Sequence, residues 1–319
     1  MITLSSHTNR RQFMQSVLAV GAGVSLVPVL SRPAQARDQA AAITAKRIND
    51  RVVVFSGGGA NVVALQGPDG ILLVDGGSAE HSRELLDAVY RETRSKHVHT
   101  LINTHWHPEQ TGSNEALGKA GARIIGHENT RRWLEYAQTE PGHEASWGPL
   151  PSQARPSETL VSSVNLSSRT LEFAGEKVEC RYLLQAHTDG DLCVLFRDSN
   201  VLVAGGAVSN EGWPVVDYAT GGWIGGLVDG LKALDGLVDE QTQIVPANGP
   251  VMGRAELKAQ HAMYATIFDR LGKLLRKGMG PEEVLAAGPT KEFDAQWGDP
   301  RQFTTLAFKS MWGHFAPDA

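Results

Sequence analysis

Short β-branched runs cut by glycine turns constrain this chain most. Val52–Phe55, Asn61–Gln66 and Ile71–Asp75 are punctuated by Gly57-Gly58-Gly59 and by Gly67-Pro68-Asp69-Gly70, which reads as successive strands joined by tight turns. Ser78 then stands before a segment whose Leu85, Leu86 and Val89 share one helical face, so Ser78 is expected to cap it. Thr100–Asn103 and Arg123–Gly126 read as further strands. A second block repeats the pattern with Leu171–Phe173, Lys177–Leu183, Asp191–Phe196 and Val201–Val203. Gly221-Gly222 leads into a helix near Ile224–Leu237, Gln243–Pro246 is a last strand, and Tyr264, Ile267, Phe268, Leu271, Leu274 and Leu275 form an amphipathic stripe. Two β-rich blocks, each followed by helices, predict an α+β fold of two sheets packed face to face with helices outside. Residues 135–158 carry Pro, Gly and Ser without periodicity and read as a long loop.

The N-terminus reads differently. Arg10-Arg11 precede Phe13, an apolar run from Ser16 to Leu30 and the small-x-small triplet Ala34-Gln35-Ala36. That order of charged, apolar and cleavage regions is an export signal over residues 1–36, and the paired arginines resemble the twin-arginine type, which implies a periplasmic location. The run is too short, and too broken by Gly and Pro28, for a stable membrane anchor. Residues 37–50 are Ala-rich and polar and read as a loose arm, with a single domain over 51–319. Removing residues 1–36 takes away Arg10, Arg11 and Arg32 and no acid, so the mature chain is more acidic than the formal −5 of the whole. Such a surface has no electrostatic reason to bind nucleic acid, which leaves a small-molecule substrate as the expected partner and the oligomeric state open.

The chemistry sits in Asn103-Thr104-His105-Trp106-His107-Pro108-Glu109-Gln110-Thr111-Gly112. Two histidines at i and i+2 leaving a strand can turn to one point, and neutral imidazole is the commonest protein ligand for zinc. His187 follows in Ala186-His187-Thr188-Asp189-Gly190-Asp191, a turn between two strands. His97, His99, His143, His261 and His314 read as ordinary surface or core residues, and His127 as the cap of the helix after its strand.

These motifs, with Leu73-Val74-Asp75-Gly76-Gly77, Val201-Leu-Val-Ala-Gly-Gly206 and Pro246-Ala-Asn-Gly-Pro250, resemble in order those of the metallo-β-lactamase superfamily. The resemblance implies a four-layer αββα sandwich with metals at one edge of the paired sheets. It also implies which ligands are kept. The superfamily's first loop carries Asp and a further His where this chain has Glu109 and Gln110. Its bridging Asp is replaced by Gly206 and its late His by Asn248. The three-His position is intact in His105, His107 and His187, and the second position has lost its usual donors. One zinc per chain is therefore expected, since amide oxygens are weak zinc donors and no carboxylate bridges two cations. Three histidines and a water make an open tetrahedral site that lowers the water's pKa from ~15.7 to about 7.

Glu109 is the candidate catalytic group, able to take a proton from that water and pass it to a leaving group. Asp75, Asp189 and Asp191 are expected to support ligands. Trp106, Trp213, Tyr218 and Trp223 are candidate walls of an apolar cleft, against core packing as the alternative. The resulting function is a mononuclear hydrolase of an ester, thioester, lactone or amide. The alternative is a non-catalytic periplasmic binding or accessory protein on the same fold. Iron-based redox chemistry, as in the superfamily's persulfide dioxygenases, is disfavoured because Gly206 removes the bridging Asp. Cys180 and Cys193 flank the His187 turn. A register pairing 180 with 193 would allow a disulfide, and otherwise they are two buried thiols.

The export reading predicts cleavage between Ala36 and Arg37. N-terminal sequencing of protein recovered from the periplasm should begin at Arg37; soluble cytoplasmic protein retaining Met1 would contradict it.

Overall fold

The computed structural model describes residues 42–141, 145–161 and 168–315. The expected export signal and His143 lie outside the described residues. The first sheet has seven strands in sequence order: β1 (Thr44–Arg47), β2 (Val52–Gly58), β3 (Ala60–Gly67), β4 (Gly70–Val74), β5 (Val98–Ile102), β6 (Arg123–His127) and β7 (Glu158–Leu160). Strands β1 to β4 are antiparallel and β4 to β7 parallel. The second sheet holds β8 (Ser168–Phe173), β9 (Glu176–Tyr182), β10 (Leu192–Phe196), β11 (Val201–Ser209) and β12 (Gln243–Asn248), with β12 parallel to β11 at one edge.

Alternation along the strands builds the layers. Val52, Val54, Val63, Leu65, Leu72 and Val74 face Val178, Val194, Phe196, Val201 and Val203 of the other sheet in one shared core. The intervening Val53, Phe55, Val62, Ala64, Ile71 and Leu73 pack outward under Leu85, Ala88 and Val89 of helix α1 (Ser82–Thr93). On the far side, Leu195, Leu202 and Ala204 pack under Ile224, Leu227 and Leu231, and under Tyr264, Ile267 and Phe308. The small helices α2 (Pro108–Thr111), α3 (Asn114–Lys119) and α4 (Glu128–Trp133) follow the first sheet's parallel strands. Helix α5 (Ile224–Asp235), the long α6 (Arg254–Arg276), α7 (Pro281–Ala287), α8 (Asp294–Trp297) and α9 (Arg301–Phe315) lie on the second sheet's side. Strands buried on both faces read as continuous apolar runs, and here period two still divides them between two cores. The result is the four-layer αββα sandwich.

Four local expectations change. Residues 44–47, inside the stretch read as a loose arm, pair with β2 as an edge strand. All four side chains are exposed, so hydrogen bonding of the backbone, invisible to hydrophobic pattern, places them. Helix α1 begins after His81 rather than Ser78, whose hydroxyl meets the His81 ring at 2.9 Å. The stretch read as an unstructured loop folds back through paired Gln138 and Trp147 and a turn at Ser152–Ala154. Strand β11 runs on past Val203 to Ser209, with a register shift around Gly205.

Cys180 pairs with Val194 and Cys193 with Arg181. The register is one residue off the pairing a disulfide needs, and one residue reverses the face. Cys180 therefore points into the core between the sheets and Cys193 into the core under the helices. Both thiols are free, and burial pushes each up to about 12. An aromatic disulfide reagent at pH 8 should label no cysteine in the folded protein and both after denaturation. A chain that denatures without free thiols would contradict this register.

Candidate metal centre

The three histidines meet at the sandwich edge, where the loop after β5 faces the turn between β9 and β10. Their ring centroids form a near-equilateral triangle, 4.8 Å between His105 and His107 and 4.7 Å for each of the other two pairs. One nitrogen from each lies within 4.8 Å of the others, and all three side chains are buried.

The outward nitrogens face partners that suit ligand tautomers with the other nitrogen turned inward. His107 Nε2 donates to Asp217 Oδ2 at 3.0 Å, which leaves Nδ1 facing inward. His187 Nδ1 donates to the carbonyl of Val215 at 2.6 Å, which leaves Nε2 facing inward. His105 Nδ1 lies 3.0 Å from Thr104 Oγ1, and that hydroxyl gives its own proton to Asp75 Oδ2 at 2.8 Å. Thr104 Oγ1 therefore accepts from His105, whose Nε2 also remains free of a proton. The inward His107 Nδ1 and His187 Nε2 are 3.1 Å apart, close to the about 3.3 Å between two nitrogen ligands on a tetrahedral zinc. The donor set fits a divalent ion of intermediate softness. Burial, followed by the neighbouring His187 and His107, holds His105 well below the usual imidazole range, so it stays neutral as a ligand must.

Each support has a local cause. Asp75 ends β4 in a left-handed conformation (φ 65°) that Asp tolerates better than most residues, and its carboxylate also accepts from the Thr104 amide at 2.8 Å. Burial pushes its carboxyl up to about 7. Asp191 Oδ2 accepts from the His187 and Thr188 amides at 2.5 and 2.9 Å and so sets the turn. Asp189 serves the turn from outside, accepting from Trp133 Nε1 at 2.7 Å. Gly222 allows the start of α5 to press on this turn: a Cβ there would lie 2.0 Å from the His187 carbonyl oxygen.

The second-position residues gather on the other wall. Glu109 and Gln110 sit in α2, and Asn248 at the exposed end of β12. The Asn248 amide, oriented with its nitrogen toward Gly59 and Ala247, donates to both carbonyls at 3.2 Å. A Cβ on Gly206 would lie 2.2 Å from His187 Cδ2 and 2.7 Å from Nε2. The His187 ring thus covers the position from which a bridging carboxylate would project.

Two residues absent from the sequence reading complete the site. Asp217 holds His107 and also accepts from Thr220 Oγ1 at 2.5 Å; that hydroxyl receives Trp106 Nε1 at 3.1 Å. Its only sequence signal is an Asp three residues before a Thr, the mark of a cap. Glu140 comes from the 135–158 stretch, hydrogen-bonds Glu109 and lies 3.5 Å from His107 Nδ1. Burial first, then the charge of Glu109, pushes its carboxyl up to about 9. Nothing local marks it: an acid in an aperiodic loop looks like solvent-facing polarity.

A cavity of about 260 Å³ opens over the three histidines, with Glu109, Gln110, Glu140, Glu211, Trp213 and Asn248 in its walls. Of the four aromatic candidates only Trp213 lines it. Trp106 is fully buried, edge-on to His107 at 4.5 Å. Trp223 stacks on His314 at 3.6 Å, away from the cavity, and Tyr218 is 41% exposed outside it. Both follow Gly206 in sequence, but the turn between them sends their rings elsewhere. His127 Nδ1 accepts from the Asn129 amide at 3.2 Å as the cap of α4.

The family profile of the metallo-beta-lactamase superfamily matches residues 56–249. The chain belongs to the metallo-β-lactamase superfamily. A linear primary-alkylsulfatase of Pseudomonas sp. (strain ATCC 19151) is 23% identical over 297 residues, 80% of this chain and 56% of that protein. Among solved structures, a metallo-beta-lactamase from Pontibacter korlensis aligns with TM-score 0.56 at 18% identity, over 70% of this chain and 99% of its own. A stereoselective inverting sec-alkylsulfatase from Pseudomonas sp. aligns with TM-score 0.59 at 16% identity, over 87% of this chain and 51% of its own. The chain thus spans about half the length of the alkylsulfatases it matches, and these structural likenesses show the shared fold.

Asp217→Asn keeps the shape but weakens the acceptor that orients His107. Metal affinity measured by competition with a chromogenic chelator should fall ~10- to 100-fold. An unchanged affinity would show that Asp217 does not support the ligand.

Proposed function

We propose that the chain is an exported metal-dependent hydrolase with one three-His centre, acting on a carboxylic ester, thioester, lactone or amide. The observation that carries the reading is the geometry: each imidazole sets one nitrogen against a fixed partner and turns the other to a common point beneath an open cavity. A divalent ion held by His105, His107 and His187, zinc by donor chemistry, would supply a Lewis acid and a water that ionises near neutrality. Glu109 lines the same cavity without belonging to the three-nitrogen cluster. Its part is to accept a proton from the attacking water and deliver it to the leaving group. Glu140, hydrogen-bonded to Glu109, fixes the direction of that carboxylate. The N-terminal pattern through Ala36 supports export to the periplasm. The alkylsulfatase likeness adds sulfate esters to the substrates worth assaying.

The test separates ligand from proton carrier on a chromogenic panel of esters, thioesters, lactones and sulfate esters. His105→Ala, His107→Ala and His187→Ala should each lose metal and activity together, since two imidazoles do not hold zinc tightly. Glu109→Gln should keep its metal while the rate falls ~10²-fold or more. If Glu109→Gln loses metal as the histidine variants do, Glu109 is a ligand. If the wild type turns over nothing on the panel, the fold serves binding and not hydrolysis.

A further inference from the structure

We infer that the substrate carries a planar apolar group beside the scissile bond, seated on Trp213, and that Phe303 is the positioning residue of that platform; the inference rests on the hydrolase reading of the same site. One continuous stretch of the cavity wall, Trp213-Pro214-Val215, brings carbon to the cavity, together with Ala247 and the side-chain-free Gly59 and Gly206. Val215 accepts from His187 Nδ1 at 2.6 Å through its carbonyl. The stretch is thereby locked to a metal ligand, and a group lying on it stands next to the metal position. The volume of about 260 Å³ has room for one ring and its reacting group.

Trp213 has spent its polarity elsewhere. Nε1, the only polar atom of the ring, donates to the Gly298 carbonyl at 3.1 Å. What the ring brings to the cavity is therefore carbon. It is half-buried and braced: Phe303 stacks on it at 4.6 Å and 14°, and Trp297 packs against it at 5.5 Å. Phe303 is itself fixed in the core beside Tyr264. A platform held in place before its ligand arrives loses little freedom on binding, and a half-buried indole gains when its remaining apolar area is covered. Core packing alone would bury the ring, but here the packing stops with part of it in the cavity wall. The braces Trp297, Gly298 and Phe303 come from α8, the link after it and α9, outside the 56–249 stretch that the family profile matches. They belong to this chain's own C-terminal helices.

Calorimetry on the zinc-loaded protein at pH 7 tests this with acetohydroxamic acid and phenylacetohydroxamic acid, which carry the same metal-binding group without and with a ring. The phenyl compound should bind about tenfold tighter. Trp213→Leu should cut that preference to about twofold or less and leave the affinity for acetohydroxamic acid within about twofold. Phe303→Leu keeps an apolar core side chain but removes the stack, and should reduce the preference about threefold, again with little change for the small compound. Equal affinity of the two compounds for the wild type, a preference that ignores Trp213→Leu, or variants that weaken both compounds alike overturns the inference. Turnover is not part of the readout. An inactive protein with the Trp213-dependent preference removes the hydrolase reading alone, and an active one without it removes this inference alone. A protein that binds neither compound at millimolar concentration removes both.

Discussion

The centre depends on what the histidines do with the nitrogen that faces away from it. An imidazole can offer a lone pair inward only if its proton is held outward, and a buried N–H without an acceptor is costly. This chain meets that demand three ways: a carboxylate for His107, a backbone carbonyl for His187, and a hydroxyl relayed to a carboxylate for His105. The acceptors come from two parts of the chain: the end of β4 with the loop after β5, which supply Asp75 and Thr104, and the segment before α5, which supplies both Val215 and Asp217. Bringing them together is what the sandwich accomplishes at its edge, so fold and site are one requirement.

The same packing accounts for the missing half of the superfamily's usual arrangement. Gly206 does more than omit a bridging carboxylate. His187 lies so close to it that any side chain would force the ring to move. The loss of the bridge and the present position of His187 are thus coupled, and restoring an acid at 206 would disturb the ligand that remains. On the opposite wall the altered residues keep polar character: Glu109 is hydrogen-bonded to Glu140, and the Gln110 Oε1 is buried.

What could be read from the sequence follows the range of the forces involved. Strands buried on both faces, such as Val52–Phe55 and Ile71–Val74, declare themselves through local apolar runs, and the spacing His105-x-His107 with His187 in its acidic turn declares the ligands. Gly206 and Asn248 were legible as departures because the superfamily motifs around them are intact. Asp217 and Glu140 were not, because each acquires its role only through a partner about 110 or 33 residues away in sequence. Trp106, Tyr218 and Trp223 misled for a related reason. An aromatic residue near a motif carries no sign of which way its ring turns, and here only Trp213 turns to the cavity. Cys180 and Cys193 are the two buried thiols the sequence allowed, and the alternative disulfide misses by a single residue of register, which sequence spacing does not determine.

The central claim is that three imidazoles with assigned tautomers make one complete metal position and that the second position has been closed. Native mass spectrometry of the protein after exposure to excess zinc and desalting measures this most directly. The account predicts a single retained zinc per chain. Two retained ions, or none, would contradict it.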